Sequence, residues 1–491
     1  MELTTAQLDR ACGVLLATAA GDALGAGYEF RPPLPDEALV EMKGGGSLGW
    51  EPGEWTDDTS MALAIAEVAA AGAGLLSSQA QDRVTARWAD WATTARDVGI
   101  QTGQVLGEVR HGTAAEALAA ARALHEQTGH TAGNGSLMRT APAALAYLDD
   151  PDLLTEAATQ LSALTHHDPE AGQACTLWCH AIRHAVLTGE LDARAGLPWL
   201  PAASHGTWAR RLEEAEQARP RDFPRNGWVV EALQAAWSAI ATTPVPRDDP
   251  ARGTFRAGHL RLALEAAVRG GRDADTVAAI AGGLLGAAYG ASAVPASWRL
   301  ELHGWPGYQA RDLIGLATTI ATGPAGRVAY GGQDRPAVAV PHPDDPGLLL
   351  GDVAAAASLP DGVTAVVSLC RVGQQQEAAI RERDALWVEV RLEDDDDPAE
   401  NPNLDFVLHD TVSVIEDLRA GRHVVLVHCV AAYSRTPTIG ALYAMRRTGA
   451  GPGAALSAVI GALPEADPAD AFRAALVRFT RRHGDGIRVA Q

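Results

Sequence analysis

The hydrophobic pattern of the chain changes once, near residue 320, and this change limits the possible folds more than any other feature. Before it, Ala-rich stretches with helical spacing recur, such as AAEALAAARALHEQ and PEAGQACTLWCHAIRHAV. After it, short apolar runs alternate with helical ones, as in GVTAVVSLC, ALWVEVRL and RHVVLVHC. This alternation favours a parallel or mixed sheet covered by helices. We therefore expect a multidomain chain: an all-α domain over 1–321, a Gly- and Pro-rich linker over 322–345, and an α/β domain over 346–491.

Charge and cysteine content exclude several classes of function. The net charge of −21 argues against a general affinity for nucleic acid phosphates or anionic membranes. Five cysteines without a CxxC pair predict no disulfide framework, and a reducing cytoplasm fits best. The N-terminus has no basic region followed by a long apolar core, so we expect no signal peptide. Residues 277–295 place Gly282, Gly286 and Gly290 at the spacing of membrane helices, but acids precede this Ala/Gly-rich stretch, so we expect a buried helix.

Two apolar helical runs begin with acids and hydroxyls. GEWTDDTSMALAIAE spans residues 53–67, and RDADTVAAIAGG spans residues 272–283. One explanation is capping, because Thr and Asp satisfy free N–H groups at a helix start and acids complement the helix dipole. The other is a metal site divided between the two segments, because carboxylates and hydroxyls are hard oxygen ligands suited to Mg²⁺ or Mn²⁺. Adjacent Asp57 and Asp58 point about 100° apart on a helical turn and can reach different ions.

Six ordered motifs surround these segments. They are GVLLATAAGDALGAGYEF (13–30), TDDT (56–59), ARDVGIQT (95–102), GNGSLMRTAP (133–142), LTHHDPEA (164–171) and RDADT (272–276). Together they resemble the ADP-ribosylglycohydrolase family over residues from about 10 to 320. The resemblance implies a compact all-helical fold, hydrolysis of the N- or O-glycosidic bond between ADP-ribose and a modified side chain, and a centre of two Mg²⁺ or Mn²⁺ ions.

The same resemblance assigns roles to individual residues. The implied metal ligands are Thr56, Asp57, Asp58, Asp273, Asp275 and Thr276. Glu29 or Asp97 would orient a water or pass a proton to the leaving group. The alternatives are a solvated helix end for Glu29 and a loop cap for Asp97. Asn134, Gly135 and Ser136 would donate to ribose and pyrophosphate, and His166 would line the pocket.

The C-terminal region contains VLVHCVAAYSRTPTIGALY, in which Cys429 and Arg435 are separated by five residues. This C-x5-R, between a predicted strand and helix, resembles the signature of cysteine-dependent phosphatases of the dual-specificity group. A loop of this length can direct its N–H groups at a phosphate. Cys429 would then be the nucleophile, and the planar guanidinium of Arg435 would bind two phosphate oxygens. Thr436 would hydrogen-bond the sulfur.

Two questions remain open at this second signature. The general acid is Asp394, which fits the end of the preceding strand, or Asp397, which fits the residue count. Ala432 stands where the signature usually has Gly, and a methyl group there distorts the loop if the position needs positive φ. An inactive phosphate-binding domain is therefore an alternative to an active phosphatase.

These patterns predict a bifunctional cytoplasmic hydrolase. Its expected substrates are ADP-ribosylated proteins or small molecules and, for the C-terminal domain, a phosphorylated substrate. The alternatives are an ADP-ribose- or phosphate-binding module with one inactive site and a hydrolase of free ADP-ribose-derived metabolites. The residues do not specify the acceptor that carries ADP-ribose.

Overall fold

The structure, a computed structural model, describes residues 2–323 and 336–480 and divides into two compact units. Within the described residues, the first unit comprises 2–244, His259–Val294 and 301–323. The second comprises Val245–Gly258, Pro295–Leu300 and 336–480. Two short segments from the N-terminal half of the chain are thus part of the second unit.

The first unit is built almost entirely of helices. They are α1 Thr5–Ala26, α2 Asp57–Ala70, α3 Ser78–Ala92, α4 Ile100–Leu106, α5 Ala114–Thr128, α6 Pro142–Ala146, α7 Pro151–Ala163, α8 Pro169–Thr188, α9 Ala202–Gln217, α10 Val229–Thr242, α11 His259–Arg269, α12 Ala274–Tyr289 and α14 Ala310–Thr322. A two-residue ladder joins β1 His303–Gly304 to β2 Tyr308–Gln309. The predicted helical character of this region is confirmed.

Helices α1 and α12 form the centre of the first unit: α1 is buried from Ala11 to its end, and nearly every residue of α12 is buried. Their backbones approach so closely that a methyl group at Gly286 would overlap the carbonyl oxygen of Gly13. The glycine spacing of residues 277–295 therefore serves close helix packing inside the unit. Within the described residues, no helix is both long and apolar enough to cross a membrane.

The second unit contains a five-stranded mixed sheet. Its elements are α13 Ala296–Glu301, β3 Ala339–His342, β4 Asp345–Gly351, α15 Val353–Ala357, β5 Ala365–Ser368, α16 Gln374–Glu382, β6 Leu386–Glu389, α17 Leu404–Ala420, β7 Val425–His428, α18 Arg435–Thr448, α19 Pro452–Ala462 and α20 Asp470–Arg478. The strand order is β3-β4-β7-β5-β6, with β3 antiparallel to β4 and the other pairs parallel. The expected alternation of strands and helices is present.

Alternate residues of the central strands face opposite layers of helices. Val366 and Leu426 pack with residues of α15 and α16. Val367 and Val427 belong to the larger core that includes residues of α17 to α20. Side chains that alternate along a strand explain why both faces of this sheet are apolar.

The expected linker over 322–345 overlaps secondary structure at both ends. Thr322 is the last residue of α14, and β3 and the start of β4 occupy 339–345, while residues 324–335 lie outside the described residues. The strand was missed because Pro341 interrupts its pattern. Proline is tolerated here because β3 is an edge strand, which needs backbone hydrogen bonds on one side only.

Candidate functional site

The acids and hydroxyls at the starts of α2 and α12 do not act as simple caps. Thr56 precedes α2 without a side-chain capping bond, and its hydroxyl donates to Oδ2 of Asp58 at 3.0 Å. Asp273 precedes α12, also without a capping bond, and accepts from Nδ2 of Asn134 at 2.7 Å. By contrast, Asp168 before α8 accepts from the backbone N–H of Glu170, as an ordinary cap does. Capping alone therefore does not account for the two segments.

The structure brings these acids into two groups of three carboxylates that could each hold a metal ion. One group is Asp22, Asp58 and Asp275, and the other is Glu29, Asp273 and Asp275; within each, one oxygen per residue lies within 4.8 Å of the others. Asp275 belongs to both groups. Close approach of the helices makes this possible, because a side chain at Gly25 of α1 would overlap the backbone of Asp275 in α12.

Asp22 is the member of this cluster to which sequence reasoning gave no role. It is fully buried in α1, and its carboxylate accepts from the backbone N–H groups of Thr56 and Thr59 at 2.9 Å each. The hydroxyl of Thr59 donates to it at 2.6 Å. It therefore also orients the segment that carries Asp57 and Asp58. The signal available in the sequence was an acid inside an otherwise apolar helix.

Burial and mutual repulsion make the carboxylate cluster costly without a counter-charge. Burial, followed by the charges of Asp97, Asp273, Asp57 and Asp22, raises the pKa of Glu29 to about 9. Burial also raises the pKa of Asp22 to about 6, against the effect of its hydrogen bonds. The pKa values of Asp58 and Asp275 are raised well above normal, again mainly by burial.

Two carboxylate oxygens of the cluster lack hydrogen-bond partners within the described residues. Oδ1 of Asp58 and Oδ1 of Asp275 are buried, and neither has a hydrogen-bond partner within the described residues. An oxygen in this position is normally satisfied by hydrogen bonds or by a cation. The donor set consists of hard oxygens, so the residues present fit Mg²⁺ or Mn²⁺.

Asp57 and Asp97 lie beside the two groups. Asp57 is in neither group of three and is hydrogen-bonded to the backbone N–H of Gly99. Asp97 is half-buried, and its charge is the largest Coulombic cause of the raised pKa of both Glu29 and Asp57. Glu29, Asp57 and Asp97 thus form a contiguous acidic region.

The residues predicted to bind substrate occupy different environments. The amide of Asn134 is hydrogen-bonded to Asp273 and to the carbonyl oxygen of Asn226, so it positions an acid. Ser136 is fully buried and accepts from the hydroxyl of Ser162 at 2.9 Å, so its side chain points into the interior because the turn at Asn134–Ser136 directs it there. A methyl group on Gly135 would lie 3.2 Å from the His166 ring, which places that ring against this turn.

His166 and Thr276 are both buried. Burial and the charge of Arg139 lower the pKa of His166 well below its usual value, so the ring is neutral, and it is paired with the Thr165 hydroxyl at 2.7 Å. Thr276 hydrogen-bonds Asp273 and lowers its pKa against the larger effect of burial. Thr276 thus contacts the acidic cluster directly, whereas His166 contacts the turn that carries Asn134.

In the second unit, Cys429 and Arg435 bracket the predicted loop. Cys429 directly follows β7 and is 1% exposed, and Arg435 is the first residue of α18 and is 7% exposed. Nη1 of Arg435 donates to the carbonyl oxygen of Leu392 at 2.7 Å, while its Nε is buried without a hydrogen-bond partner. Ala432 has a φ of 53°, so the position does require a left-handed backbone.

The two candidates for the general acid of the second unit, Asp394 and Asp397, have different surroundings in the structure. Oδ2 of Asp394 lies 3.8 Å from Nε of Arg435. Asp397 is exposed and accepts from the backbone N–H of Ala399, so it stabilises the turn. The expected bond from Thr436 to the sulfur is replaced by a 3.2 Å bond to the carbonyl oxygen of Gly351, because β4 ends beside β7 and leaves this oxygen in reach.

Comparison with solved structures gives several likenesses, of which two represent the two parts of the chain. A structure described as an ADP-ribosylglycohydrolase-related protein complex is 30% identical, covers 66% of this chain and 100% of its own, and has a TM-score of 0.50. The human DUSP28 structure is 25% identical over 30% of this chain and 96% of its own, with a TM-score of 0.25, which is too low to support a conclusion.

The sequence comparisons decide to which family the chain belongs. ADP-ribosylarginine hydrolase Tri1 of Pseudomonas putida is 31% identical over 304 residues, which are 61% of this chain and 75% of that protein. ADP-ribosyl-[dinitrogen reductase] glycohydrolase of Rhodospirillum rubrum is 31% identical over 60% of this chain and 90% of that protein. Human ADP-ribosylhydrolase ARH3 is 27% identical over 62% and 92%. The family model described as ADP-ribosylglycohydrolase matches residues 3–327, and the chain therefore belongs to the ADP-ribosylglycohydrolase family.

Proposed function

We propose that the first unit hydrolyses the N- or O-glycosidic bond between ADP-ribose and a modified side chain, using two Mg²⁺ or Mn²⁺ ions. The observation that carries this proposal is the pair of largely buried carboxylate groups that share Asp275 and contain oxygens without hydrogen-bond partners within the described residues. The proposed ligands are Thr56, Asp57, Asp58, Asp273, Asp275 and Thr276, with Asp22 and Glu29 in the same cluster. When bound, the ions would hold the ribose hydroxyls and withdraw electron density from the reacting carbon.

The acids that surround the cluster supply the proton transfers. A water attacks the anomeric carbon of the ribose, the bond to the acceptor atom breaks, and the acceptor takes up a proton. The charge of Asp97 raises the pKa of Glu29, so the two acids lie near each other, and one can take the proton from water while the other holds one for the leaving atom. Asn134 fixes Asp273, and the turn at Asn134–Ser136 with His166 forms the wall beside it.

The test uses peptides of one sequence that carry ADP-ribose on arginine or on serine. We expect release of ADP-ribose with Mg²⁺ or Mn²⁺ and none in excess EDTA. Turnover of free ADP-ribose derivatives but of neither peptide would support the metabolite alternative. Retention of ADP-ribose without release would support the binding-module alternative.

We further propose that the second unit is a phosphatase that uses Cys429. The observation that favours it is the position of Cys429 between the end of β7 and Arg435, with Asp394 beside that arginine. The thiolate attacks phosphorus and Asp394 protonates the departing oxygen, and water then displaces the thiolate and yields inorganic phosphate. Arg435 offers the phosphate its Nε–H, which has no hydrogen-bond partner within the described residues although Asp394 lies nearby.

An aryl phosphate tests this second activity. Cys429→Ser should abolish turnover, whereas Cys370→Ser, which changes a buried thiol that follows the neighbouring strand β5, should retain it. ADP-ribosyl hydrolysis should be equal in both variants. Phosphate binding without turnover in the wild type would show that the domain is a binding module.

The substrates and the compartment are part of the same proposal. The relatives' names concern ADP-ribosylated arginine and dinitrogen reductase, so we propose an ADP-ribosylated protein as the first substrate and a phosphorylated molecule as the second. All five cysteines of the chain are thiols, which fits a cytoplasmic location. Fractionation and detection of the protein with a cytoplasmic marker enzyme would check this location.

A further inference from the structure

Arg139 places a guanidinium in the interior of the first unit, where a cation is costly. The side chain is fully buried, and burial lowers its pKa to about 9, so it stays charged at neutral pH. Within the described residues its contacts are with neutral groups. The guanidinium carbon lies 3.9 Å from the ring centroid of Trp88, and Nη1 lies 3.6 Å from Sδ of Met61. Because a buried charge without a counter-charge is destabilising, packing alone would favour an apolar residue here.

Two short hydrogen bonds connect Arg139 to the ring of His166. Nη2 of Arg139 donates to Oγ1 of Thr165 at 2.6 Å, and this oxygen lies 2.7 Å from Nδ1 of His166. A guanidinium can only donate, so the hydroxyl accepts from it and directs its single hydrogen at Nδ1. With the ring hydrogen on Nδ1 instead, the hydroxyl hydrogen would have no acceptor within the described residues. We therefore assign the ring hydrogen to Nε2.

The Nε2 edge of this ring faces the two glycines on either side of Asn134. A methyl group on Gly133 would lie 3.2 Å from Nε2, and one on Gly135 would lie 3.3 Å from it. Both glycines are partly exposed, so a ligand can reach this edge from the surface. Nε2 has no hydrogen-bond partner within the described residues, and Asn134 donates to Asp273 of the carboxylate cluster. The ring thus presents an unused N–H donor near the proposed reaction centre.

The guanidinium is also attached to the helix that carries two of the proposed metal ligands. Met61 belongs to α2, and Nε1 of Trp88 donates to the carbonyl oxygen of Met61 at 3.0 Å. Asp57 and Asp58 are the first two residues of the same helix. The group that orients the His166 ring is therefore held by the element that positions these acids.

We propose that Arg139 and Thr165 are positioning residues, which hold His166 as a neutral ring whose Nε2–H binds a phosphate oxygen of the substrate. The charge of Arg139 favours the neutral ring, because after burial it is the second cause of the lowered pKa of His166. A phosphate oxygen carries lone pairs and no hydrogen, so it needs a donor, whereas the other tautomer would present a lone pair and repel it. The inference rests on the proposed glycohydrolase function and adds to it two residues that act through a third.

The kinetic experiment compares two substitutions of one hydroxyl. Thr165→Val removes the hydroxyl at nearly constant shape, and Thr165→Ser restores it. With Mn²⁺ and the ADP-ribosyl peptide that the wild-type full chain cleaves, Thr165→Val should raise KM by about three- to twenty-fold and keep kcat within about two-fold. Thr165→Ser should recover most of that loss. Thr128→Val, which changes an exposed threonine at the end of α5, is the matched control and should change neither constant.

Nitrogen NMR of the histidine rings reports the tautomer, which a merely structural role would not move. In the full chain labelled with ¹⁵N-histidine, the ring signals that are missing from His166→Asn identify His166. The wild type should show a neutral ring with its hydrogen on Nε2. ADP-ribose should shift this signal, whereas adenosine, which lacks phosphate, should not. Thr165→Val and Arg139→Met should each show a mixture of the two tautomers, and the Thr165 variants decide the matter even if Arg139→Met fails to fold.

The outcomes separate this inference from the proposal beneath it. A wild-type ring that is charged at neutral pH or carries its hydrogen on Nδ1 would overturn the inference and leave the glycohydrolase proposal intact. An unchanged KM in Thr165→Val would do the same. A wild type that cleaves no ADP-ribosyl linkage would overturn the glycohydrolase proposal, while the ring signals and their response to ADP-ribose would still decide the role of Arg139 and Thr165.

Discussion

Asp275 is the residue on which the proposed metal centre depends most, because both carboxylate groups use it. Asp275→Asn removes one charge from the cluster, so we expect Mn²⁺ affinity to fall and ADP-ribosyl hydrolysis to drop at least about 100-fold. Mn²⁺ should raise the unfolding temperature of the wild type but not of the variant, since an ion stabilises only the state that binds it. Asp90→Asn, in an exposed position of α3, is the control. Unchanged activity of Asp275→Asn in EDTA would contradict the metal proposal.

Ala432 is the residue at which the phosphatase-like loop carries backbone strain. A left-handed conformation costs a residue with a Cβ about 1–2 kcal/mol, and glycine avoids this cost. Glycine in turn loses more conformational entropy on folding, which costs about 0.5–1 kcal/mol relative to alanine. Ala432→Gly should therefore stabilise the second unit by about 0.5–1 kcal/mol and preserve any phosphatase activity. Denaturant unfolding measures the first effect and aryl phosphate turnover the second.

The neighbouring alanine provides the control for that measurement. Ala431 is exposed, and its φ is not positive. Ala431→Gly should thus destabilise the unit slightly. If both glycine variants lower stability equally, the loop of the folded protein is not strained at Ala432.

At the scale of elements, the crossing of α1 and α12 sets the position of the acids. Gly286→Ala would force the helices apart, because the new methyl group would overlap the backbone of Gly13. We expect a loss of about 1–3 kcal/mol in the free energy of unfolding, together with weaker Mn²⁺ binding. Gly315→Ala in α14 places its methyl group in open space and should stabilise the protein by up to about 1 kcal/mol. Denaturant titrations with and without Mn²⁺ measure both; similar effects of the two substitutions would argue against the close crossing.

At the scale of the whole molecule, the second unit is assembled from distant parts of the chain. Phe255, in the segment Val245–Gly258, is 5% exposed, and its ring centroid lies 5.8 Å from that of Phe406 and 5.0 Å from that of His409. In the segment Pro295–Leu300, Nη1 of Arg299 donates to the carbonyl oxygen of Glu389 at 3.0 Å. A fragment that begins after residue 335 lacks both segments.

Phe255→Ala tests this assembly in the full chain. Truncation of a buried phenylalanine should cost the second unit about 3 kcal/mol, while the stabilisation of the first unit by Mn²⁺ should persist. Hydrogen exchange of peptides from α17, compared with peptides from α1, reports the two units separately. Val245→Ala, which changes an exposed residue of the same segment, should leave both exchange rates unchanged. Faster exchange in α1 but not in α17 would contradict the assignment of the segment.

Local patterns predicted much of the architecture. The helical spacing up to residue 320 and the strand-loop-helix pattern around Cys429 depend on residues a few positions apart, and both are confirmed as elements. The six ordered motifs identified the family, which the family match confirms. The edge strand β3 was missed because its Pro341 is permitted only by the place of the strand in the sheet.

The assembly of the sites was decided by contacts that no local pattern encodes. Asp22 meets Asp275 because two helices more than 240 residues apart in sequence cross at glycines, and Asp58 joins them from the start of α2. Ser136 turns inward, and Asp394 lies nearer Arg435 than its spacing from Cys429 indicated, because neighbouring elements direct those side chains. The sequence by itself determined most of the helices and strands, since their patterns arise from near neighbours, and it determined which acidic residues are available for a site. Only the tertiary structure decided which acids share a site, since that depends on how closely distant backbones can approach.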